Sequence, residues 1–333
     1  MSQRGSATIA ALGVVILCAA LAASFYGLYY SATVPLVKSV KRLESRGEAL
    51  KAVDAIIEAL ETSGEDGVDS RADLESLPAF EGIDYTVEDI SSRLNLNFLP
   101  AEVFESPAMS VLAGGSAGFA TLRGLREQIG ASADFEADFG SIVDVAAIGR
   151  WFSPYSYANV NTDDPEAVAR FYGVITGDAN GEASIKAKIE NLRKTKKIFD
   201  RAGFTLGFGM PAGASPLIGV EPQINPNHAE RTVMEAILGT PAYKVDDPTA
   251  VCDALGFAAD DETLDAKKIK SVLGADPDLR LTAWFGPRTW FWRVALDVGG
   301  ARYIAVLRRT GPVTGGDVLV LAGFYEEGSS QDE

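Results

Sequence analysis

The feature that most constrains this chain is an uncharged, apolar run near its N-terminus. No Asp, Glu, Lys or Arg occurs from Gly5 to Val37, and the segment from Ala7 to Tyr30 is almost wholly apolar. At about 1.5 Å per helical residue, such a run crosses a hydrocarbon core of roughly 30 Å. Three tyrosines at its far end suit the membrane interface. We therefore expect one membrane-spanning helix over residues 6–30.

The run admits three interpretations. It is a permanent anchor, a secretory signal cut after Ala20-Leu21-Ala22, or a prepilin-type leader of residues 1–5 cut after Gly5. A cleaved secretory signal needs only a short apolar region, and this one continues to Tyr30, which argues against the second interpretation.

Positive charge beside the span does not fix its orientation. Lys38, Lys41 and Arg42 follow the span, whereas Arg4 alone precedes it. Lys and Arg are normally retained on the cytoplasmic side, so this distribution opposes a cytosolic N-terminus. The expectation that the body of the chain lies outside the cytosol therefore depends on the leader.

An amphipathic pattern continues beyond the span. Apolar residues recur at spacings of three, four or seven with charged residues between them, which is typical of one helix face. The recurring positions are Val37, Val40, Leu43, Leu50, Val53, Ile57 and Leu60. We expect a stem helix over residues 31–63 that ends near Thr62-Ser63-Gly64, with a kink at Pro35 because proline removes an internal hydrogen bond.

Two parts of the sequence have the alternation of β-strands. The predicted strands are Gly82–Asp89, Ser92–Asn97, Trp290–Val298, Ala301–Arg309 and Val318–Glu326. Turns at Gly299-Gly300 and Gly311–Gly316 join the last three into an antiparallel meander. We expect one discontinuous antiparallel sheet built from residues 64–99 and 286–327, followed by a disordered tail at 328–333.

Between these parts the signals are helical. The predicted helices include Val168–Tyr172, Ile185–Phe199, Thr232–Leu238 and Ala266–Leu273. The predicted fold class is α+β: a long N-terminal helix packed on an antiparallel sheet, with residues 100–285 inserted as a large helical domain.

An Asn-x-Asn element occurs three times, as Asn95-Leu96-Asn97, Asn159-Val160-Asn161 and Asn225-Pro226-Asn227. We interpret each as a helix start, since side-chain oxygens there bind unpaired N–H groups of the first turn.

Two of these helix starts have recognisable capping pairs. Asn227 pairs with Glu230 and Asp163 with Glu166, and Pro165 fits an early helical position. The elements are also similar to helix-hairpin-helix DNA-binding modules, but those need basic contacts to the phosphate backbone. A net charge of −16 opposes such contacts, so we reject nucleic acid as a partner.

Enzyme motifs are weak throughout. His228 is the only histidine, and Cys18 and Cys252 form no cluster, so zinc, haem and a disulfide framework are not expected. Gly114-Gly115-Ser116-Ala117-Gly118 lacks the Lys-Ser/Thr ending of a phosphate-binding loop and is interpreted as a flexible loop. We interpret His228 as a solvated residue in the first turn of a helix, and we expect no enzymatic activity.

Two carboxylate-rich loops are the remaining candidate ligand sites. Asp178, Asn180 and Glu182 lie in one, and Asp260-Asp261-Glu262 with Asp265 forms the other. Hard oxygen ligands suit calcium, although neither spacing is that of an EF-hand. Solvated charge is the alternative for both, and the first loop is the better candidate.

Taken together, these residues resemble the K-type minor pseudopilin of type II secretion, also called general secretion pathway protein K, in the type IV pilin superfamily. The resemblance covers the leader and stem and an inserted helical region with a further Asn-x-Asn helix start. It also covers a strand ending in Arg93-Leu94-Asn95-Leu96-Asn97 and a closing meander with Val306-Leu307-Arg308-Arg309. The order of these features carries the resemblance more than any single motif.

The resemblance implies processing of the N-terminus. Prepilin peptidase would cut between Gly5 and Ser6 and methylate the new amine on Ser6. Two departures stand out, because most members have Phe where Ser6 stands, and most pilins have Glu at the fifth mature position, here Ala10. K-type subunits characteristically lack that Glu. It would pair with a neighbouring subunit's terminal amine in apolar surroundings, which a tip subunit can do without.

The resemblance also implies partners, a location and a cation. The expected partners are other minor pseudopilins, prepilin peptidase and the inner-membrane assembly platform. The expected location is the inner membrane, crossed once, with the globular domain in the periplasm. K-type subunits bind calcium, so the resemblance implies this cation, and Asp178, Asn180 and Glu182 are the candidate ligands. The stem face expected to mediate assembly carries Val40, Leu43, Leu50 and Ile57.

Two other functions share most of these features. A type IV pilus minor pilin in adhesion or uptake has the same fold, and a membrane-tethered periplasmic binding protein uses the helix only as a tether. The large insertion favours a tip subunit, since so wide a body would clash with the subunit above it if repeated along a filament. We expect a non-enzymatic subunit at the tip of a pseudopilus that supports protein export.

Overall fold

The structure is a computed structural model. It describes residues 3–63, 67–128, 149–195, 197–208, 217–261, 263–274, 279–310 and 318–327. Side chains are described from residue 16 onward in the first of these ranges.

One helix, Gln3–Ser63, makes up the N-terminal part of the molecule. It is the predicted stem helix, it ends where the sequence predicts, and it continues through Pro35 as a single helix. Within the described residues, this is the one helix long and apolar enough to cross a membrane by length and composition. The side chains from Ile16 to Tyr30 that the structure describes are exposed, as the lipid-facing surface of a membrane span would be.

The strands form a four-stranded antiparallel sheet and a short parallel pair. In chain order they are β1 Asp84–Asp89, β2 Ala158–Asn159, β3 Ile218–Gly219, β4 Phe291–Val298, β5 Ala301–Arg309 and β6 Leu319–Glu326. The large sheet has the order β1-β4-β5-β6, so the final three strands are the predicted meander. Gly299 and Gly300, with φ of 60° and 81°, turn the chain between β4 and β5. Both glycines take the left-handed conformation that a two-residue hairpin of this kind requires.

The second half of the stem packs one face onto the sheet. Alternate side chains of β4 and β5 point toward it because the side-chain period of a strand is two. The stem supplies Ala49, Ala52, Val53, Ile56 and Leu60, and the sheet supplies Trp292, Val294, Leu296, Tyr303, Ala305 and Leu307. Ile56 is fully buried, and burying a side chain of this size stabilises the fold by about 1.5–3 kcal/mol.

The predicted strand at Ser92–Asn97 is wrong, and the large sheet has four strands instead of five. The Asp89 carboxylate accepts hydrogen bonds from the backbone N–H groups of Ser91 and Ser92, which turns the chain away from the sheet at the end of β1. Leu94 and Leu96 are buried in the core of the insertion. They therefore satisfy a strand-like alternation while lying outside the sheet.

The insertion between β1 and β4 is helical, as predicted. Its described α-helices are Ala101–Phe104, Pro107–Leu112, Ser116–Gln128, Pro165–Thr176, Ala179–Lys194, Arg201–Phe208, Arg231–Leu238, Pro248–Asp261, Ala266–Leu273 and Leu279–Thr282. Another short helix, Arg71–Glu75, precedes β1. The predicted helix Ile185–Phe199 ends too late, because the observed helix stops at Lys194.

The predicted flexible loop at Gly114–Gly118 is also wrong. Gly114 and Gly115 form a left-handed turn, and a helix begins at Ser116. A Cβ at Gly118 would overlap the carbonyl oxygen of Ala113, so this glycine permits the close approach of the helix to the turn.

Candidate functional site

The residues predicted to form the assembly face do not share one environment. Val40 and Leu43 are 45% and 69% exposed, respectively. Leu50 is half-buried, and Ile57 packs against the core between stem and sheet. The accessible part of the predicted face is therefore its N-terminal half, at Val40 and Leu43. The neighbouring Leu36 and Val37 are also exposed.

Polar contacts hold the last strands against the stem. Arg42 donates from Nε to a carboxylate oxygen of Glu326 at 2.5 Å, and the Arg46 guanidinium lies over the Phe324 ring at 5.1 Å. The backbone N–H of Leu319 donates to Glu61 Oε1 at 2.7 Å. The sheet thus uses charged stem residues as well as apolar ones, while the side chain of Leu43 remains free.

Gly5 and Ser6 lie in the first turns of the stem helix. Their side-chain surroundings fall outside the described part of the chain, and cleavage between them stays a prediction.

A buried polar junction connects the sheet to the insertion. The Arg309 guanidinium donates to Asp69 Oδ1 at 2.7 Å, and both side chains are almost fully buried. Burial raises the pKa of Asp69 to about 6, while the positive charge of Arg309 opposes that rise. The carboxyl is therefore ionised at neutral pH and paired with Arg309. Removing Arg309 would leave the buried Asp69 carboxylate with only the longer ion pair to Arg288, at 3.8 Å, and weakening a buried pair in this way is destabilising.

Asn225 is the contribution of the insertion to this junction. Its Nδ2 donates to the Asp69 carbonyl oxygen at 2.9 Å and to Thr289 Oγ1 at 3.1 Å. Its backbone N–H donates to Ser92 Oγ at 2.8 Å. This asparagine therefore bonds the segment after the stem, the segment before β4 and the segment after β1.

The three Asn-x-Asn elements share one local geometry. Oδ1 of the first asparagine accepts the N–H of the second at 3.0, 2.9 and 3.1 Å. The residue just before each element forms a parallel β-bridge with a residue much further along the chain. The bridged pairs are Leu94 with Phe152, Ala158 with Ile218 and Ile224 with Phe285. A helix begins four residues after the second asparagine in each case. The insertion is therefore built from three tandem units, an organisation that the sequence analysis missed.

The second asparagine of an element clamps a distant backbone segment. Asn161 exchanges two hydrogen bonds with Phe199, at 2.9 and 2.8 Å. Asn227 does the same with Leu264, at 3.2 and 3.0 Å. An aspartate follows each clamped residue, and an eight-residue helix follows each aspartate. The corresponding segment of the first unit lies outside the described residues.

Neither of the two helices with predicted capping pairs is capped by the residue that the sequence predicts. Asp164 caps the helix Pro165–Thr176, accepting from the N–H groups of Glu166 and Ala167, while Pro165 takes the first helical position as predicted. At the other predicted helix start, Glu230 occupies the N-cap position of Arg231–Leu238, because the Asn227 side chain is hydrogen-bonded to Leu264.

Asp163 is buried inside the second unit instead of capping a helix. Its Oδ2 accepts the N–H of Asn159 at 2.7 Å and its Oδ1 accepts Thr162 Oγ1 at 3.1 Å. Burial raises the pKa of Asp163 to about 7, because the removal of water outweighs these hydrogen bonds and the nearby Arg193 charge.

His228 is not the solvated helix residue that was predicted. It lies in the turn before Arg231–Leu238, with its ring edge-on to Trp292 at 5.2 Å between centroids. Burial lowers its pKa, although the Asp89 charge opposes the shift. The ring is therefore a packing contact between insertion and sheet.

The candidate calcium residues lie at a helix start instead of in a loop. Asp178 caps Ala179–Lys194, with Oδ1 accepting the N–H of Gly181 at 3.0 Å, and Asn180 is exposed in the first turn. Glu182 lies against Gly173 of the preceding helix. In the part of the chain that the structure describes, no three His, Cys, Asp or Glu side chains group as metal ligands. These placements give no ready cation cage, and the calcium site stays a prediction.

The second acidic run is likewise part of the helical framework. Asp260 and Asp261 end the helix Pro248–Asp261, and Asp265 caps the next helix by accepting the N–H of Lys268 at 2.8 Å. Glu262 lies outside the described residues.

Cys252 is buried, and burial raises the pKa of its thiol to about 11, so it remains protonated at neutral pH.

The protein has an α+β fold: a helix of membrane-spanning length packs its second half on an antiparallel meander, and a helical insertion joins β1 to β4. A chain in "The Crystal Structure of the GspK-GspI-GspJ complex from enterotoxigenic Escherichia coli Type 2 Secretion System" is similar to it. The match has 14% identity and a TM-score of 0.42, and it covers 89% of this chain and 99% of that chain. No protein-family model and no curated protein match the sequence.

Proposed function

We propose that this protein is a non-enzymatic minor pseudopilin that joins other minor pseudopilins at the tip of a type II secretion pseudopilus. In this proposal residues 6–30 cross the inner membrane and the globular body lies in the periplasm. The leader is removed by prepilin peptidase, and an inner-membrane platform assembles the complex in support of protein export.

The observation that carries the proposal is the division of the stem into two halves. The half before Tyr30 is apolar, and those of its side chains that the structure describes, from Ile16 onward, are exposed, as lipid-facing residues of a membrane span would be. The other half packs one face onto the sheet and leaves Val40 and Leu43 uncovered. A tether alone needs no exposed apolar residues beyond the membrane, whereas packing against another stem does.

The insertion supports a position at the tip. It is inserted between β1 and β4, which are neighbours in the sheet, so it enlarges the body without separating these two strands. Subunits stacked by close stem packing leave little axial space for such a body, except at the end of a filament.

The exposed face of the stem can be tested without disturbing the fold. Leu43→Glu places a charge where a partner stem would pack, and we expect loss of co-purification with the other minor pseudopilins. Leu43 is 69% exposed, so the free energy of unfolding should change by less than about 0.5 kcal/mol.

Glu48→Arg is the matched control, because Glu48 is exposed on another side of the same helix. The proposal fails if Leu43→Glu still co-purifies with its partners, or if both variants lose them equally.

A further inference from the structure

The charge of the stem helix reverses along its length. Residues 31–46, which follow the predicted span, carry four cations and one carboxylate, a net charge of +3. The cations are Lys38, Lys41, Arg42 and Arg46. Residues 47–63 carry four carboxylates and one cation, a net charge of −3. The positive charge of the stem is therefore concentrated next to the span, in a chain whose total charge is −16.

Two of the four cations are held by the last strand of the sheet. Arg42 donates to Glu326, and the Arg46 guanidinium lies over the ring of Phe324. Lys38 and Lys41 are exposed and make no hydrogen bond or ion pair with any residue that the structure describes. These two ammonium groups are therefore available to a partner outside the chain.

Both lysines lie on the side of the stem that faces the body. Higher on that side, Ser45 contacts the hairpin turn, because a Cβ at Gly299 would overlap the serine Oγ. Lys41 is four residues before Ser45, and Lys38 is three residues before Lys41. Residues at these spacings share one helix face. The lysines therefore lie below the hairpin turn, between the body and the end of the span.

The exposed apolar residues of the stem lie on another side. Leu36, Val40 and Leu43 share a face through spacings of four and three. Val40 is two residues from Lys38, and at 3.6 residues per turn such positions point to opposite sides of a helix. A partner stem packed on the apolar face would leave the lysines uncovered.

The lysines are within reach of lipid headgroups if the span ends at Tyr30. At about 1.5 Å per residue, their Cα atoms lie roughly 12 and 16 Å beyond Tyr30. Helical side chains tilt toward the N-terminus, which is here toward the membrane. The headgroup layer adds roughly 5–8 Å beyond the hydrocarbon on each side. Both ammonium groups therefore come within a Debye length of lipid phosphates, which is about 8 Å at physiological ionic strength.

We propose that Lys38 and Lys41 bind the phosphates of anionic phospholipids in the leaflet beneath the body. The inference rests on the part of the proposed function that puts residues 6–30 in the membrane, and it adds a lipid partner. An acidic body is repelled by an anionic bilayer, and two lysines below it offset this repulsion locally. Headgroups are the favoured occupant because the span itself brings them to this level, whereas a protein segment would have to enter the gap between body and membrane.

Energy transfer from the span to labelled lipids tests the proposal on the full-length protein. Cys18 is exposed within the span and Cys252 is buried, so a donor dye can be attached to Cys18. The protein is reconstituted in phosphatidylcholine vesicles with a trace of acceptor-labelled phosphatidylglycerol or, in parallel, acceptor-labelled phosphatidylcholine. We expect more transfer to phosphatidylglycerol. This preference should fall as salt rises, and equally for chloride and phosphate at the same ionic strength, because screening weakens exposed charge pairs.

Lys38→Gln combined with Lys41→Gln should lower the preference for phosphatidylglycerol by about fivefold or more, since each lysine near an anionic surface contributes to the attraction. Lys51→Gln is the matched control. Lys51 is an exposed lysine of the same helix and lies roughly 15 Å further from the membrane than Lys41.

Three results would overturn this proposal alone: equal transfer to the two lipids by the wild type, an equal loss of preference in Lys51→Gln, or a stronger effect of phosphate than of chloride. The loss of co-purifying pseudopilins from the double variant, with its lipid preference intact, would put a protein on these lysines and overturn it too. Absence of transfer to either lipid would contradict the membrane span, and with it both this proposal and the proposed function.

Discussion

At the scale of single residues, buried polar side chains hold the insertion together. The Asn-x-Asn pattern was visible in the sequence, and so were the helices that follow it. The clamps from Asn161 to Phe199 and from Asn227 to Leu264 were not, because each spans more than thirty residues and has no local signal. The sequence therefore shows the asparagines and their spacing, whereas their hydrogen-bond partners are set only by the tertiary fold.

The clamp predicts a large effect of Asn227→Ala. The substitution leaves the N–H and carbonyl oxygen of Leu264 buried without partners, so we expect a loss of about 2–4 kcal/mol in the free energy of unfolding. Urea denaturation followed by circular dichroism measures it. Asn180→Ala is the control, because Asn180 is exposed and should change stability by less than about 0.5 kcal/mol. Similar values for the two variants would refute the clamp.

The buried carboxyl of Asp163 predicts a dependence on pH. Its pKa is about 7 in the folded protein and 3.8 in the unfolded reference, so the folded state holds more protons between these values. The contribution of Asp163 to stability is therefore present in full below pH 3.8 and is lost as the pH rises to about 7.

Asp163→Asn removes this titration while keeping an oxygen that can accept the N–H of Asn159. The melting temperature of the variant should therefore decline less than that of the wild type over this pH range. Parallel curves for wild type and Asp163→Asn would contradict the assignment.

At the scale of secondary structure elements, a prediction succeeded where the sequence pattern was long enough to define one helix or strand by itself. The β4–β5 hairpin follows from alternation on both sides of Gly299-Gly300, and its predicted positions are confirmed. Helices of four to six residues, such as Ala101–Phe104, are too short to show a helical period. At Ser92–Asn97 the alternation was real, but the leucines face the core of the insertion.

The hairpin turn docks on the stem, and this predicts unequal effects of two alanine substitutions. A Cβ at Gly299 would overlap Ser45 Oγ, whereas a Cβ at Gly300 meets open space. Both positions have positive φ, which costs alanine about 1–2 kcal/mol. Gly299→Ala should therefore cost more than Gly300→Ala in thermal unfolding. Adding Ser45→Ala should recover part of the difference, and no recovery would mean that the turn is not seated on the stem.

At the scale of the whole molecule, the chain joins a helix long and apolar enough to cross a membrane, a small sheet and an insertion of tandem units. The architecture could be predicted because the apolar run, the amphipathic stem and the closing meander are each continuous in sequence. The threefold organisation of the insertion could not, since its units share two asparagines and little else.

A tip position predicts where the protein is found on isolated filaments. Immunogold labelling of the body should give one site at a filament end, because in the proposed function the bulk of the insertion excludes a subunit above it. Labels at regular intervals along the filament would contradict the tip position, even if the protein proves to be a pilin.

The central claim is that the apolar N-terminus is a processed pilin stem. Mass spectrometry of the mature N-terminus, from membranes of cells that contain prepilin peptidase, tests it most directly. The account predicts a chain that begins at Ser6 with a methylated amine, and full-length precursor when Gly5 is replaced by a bulky residue. A chain that begins after Ala22, or wild-type protein that keeps Met1 to Gly5, would contradict it.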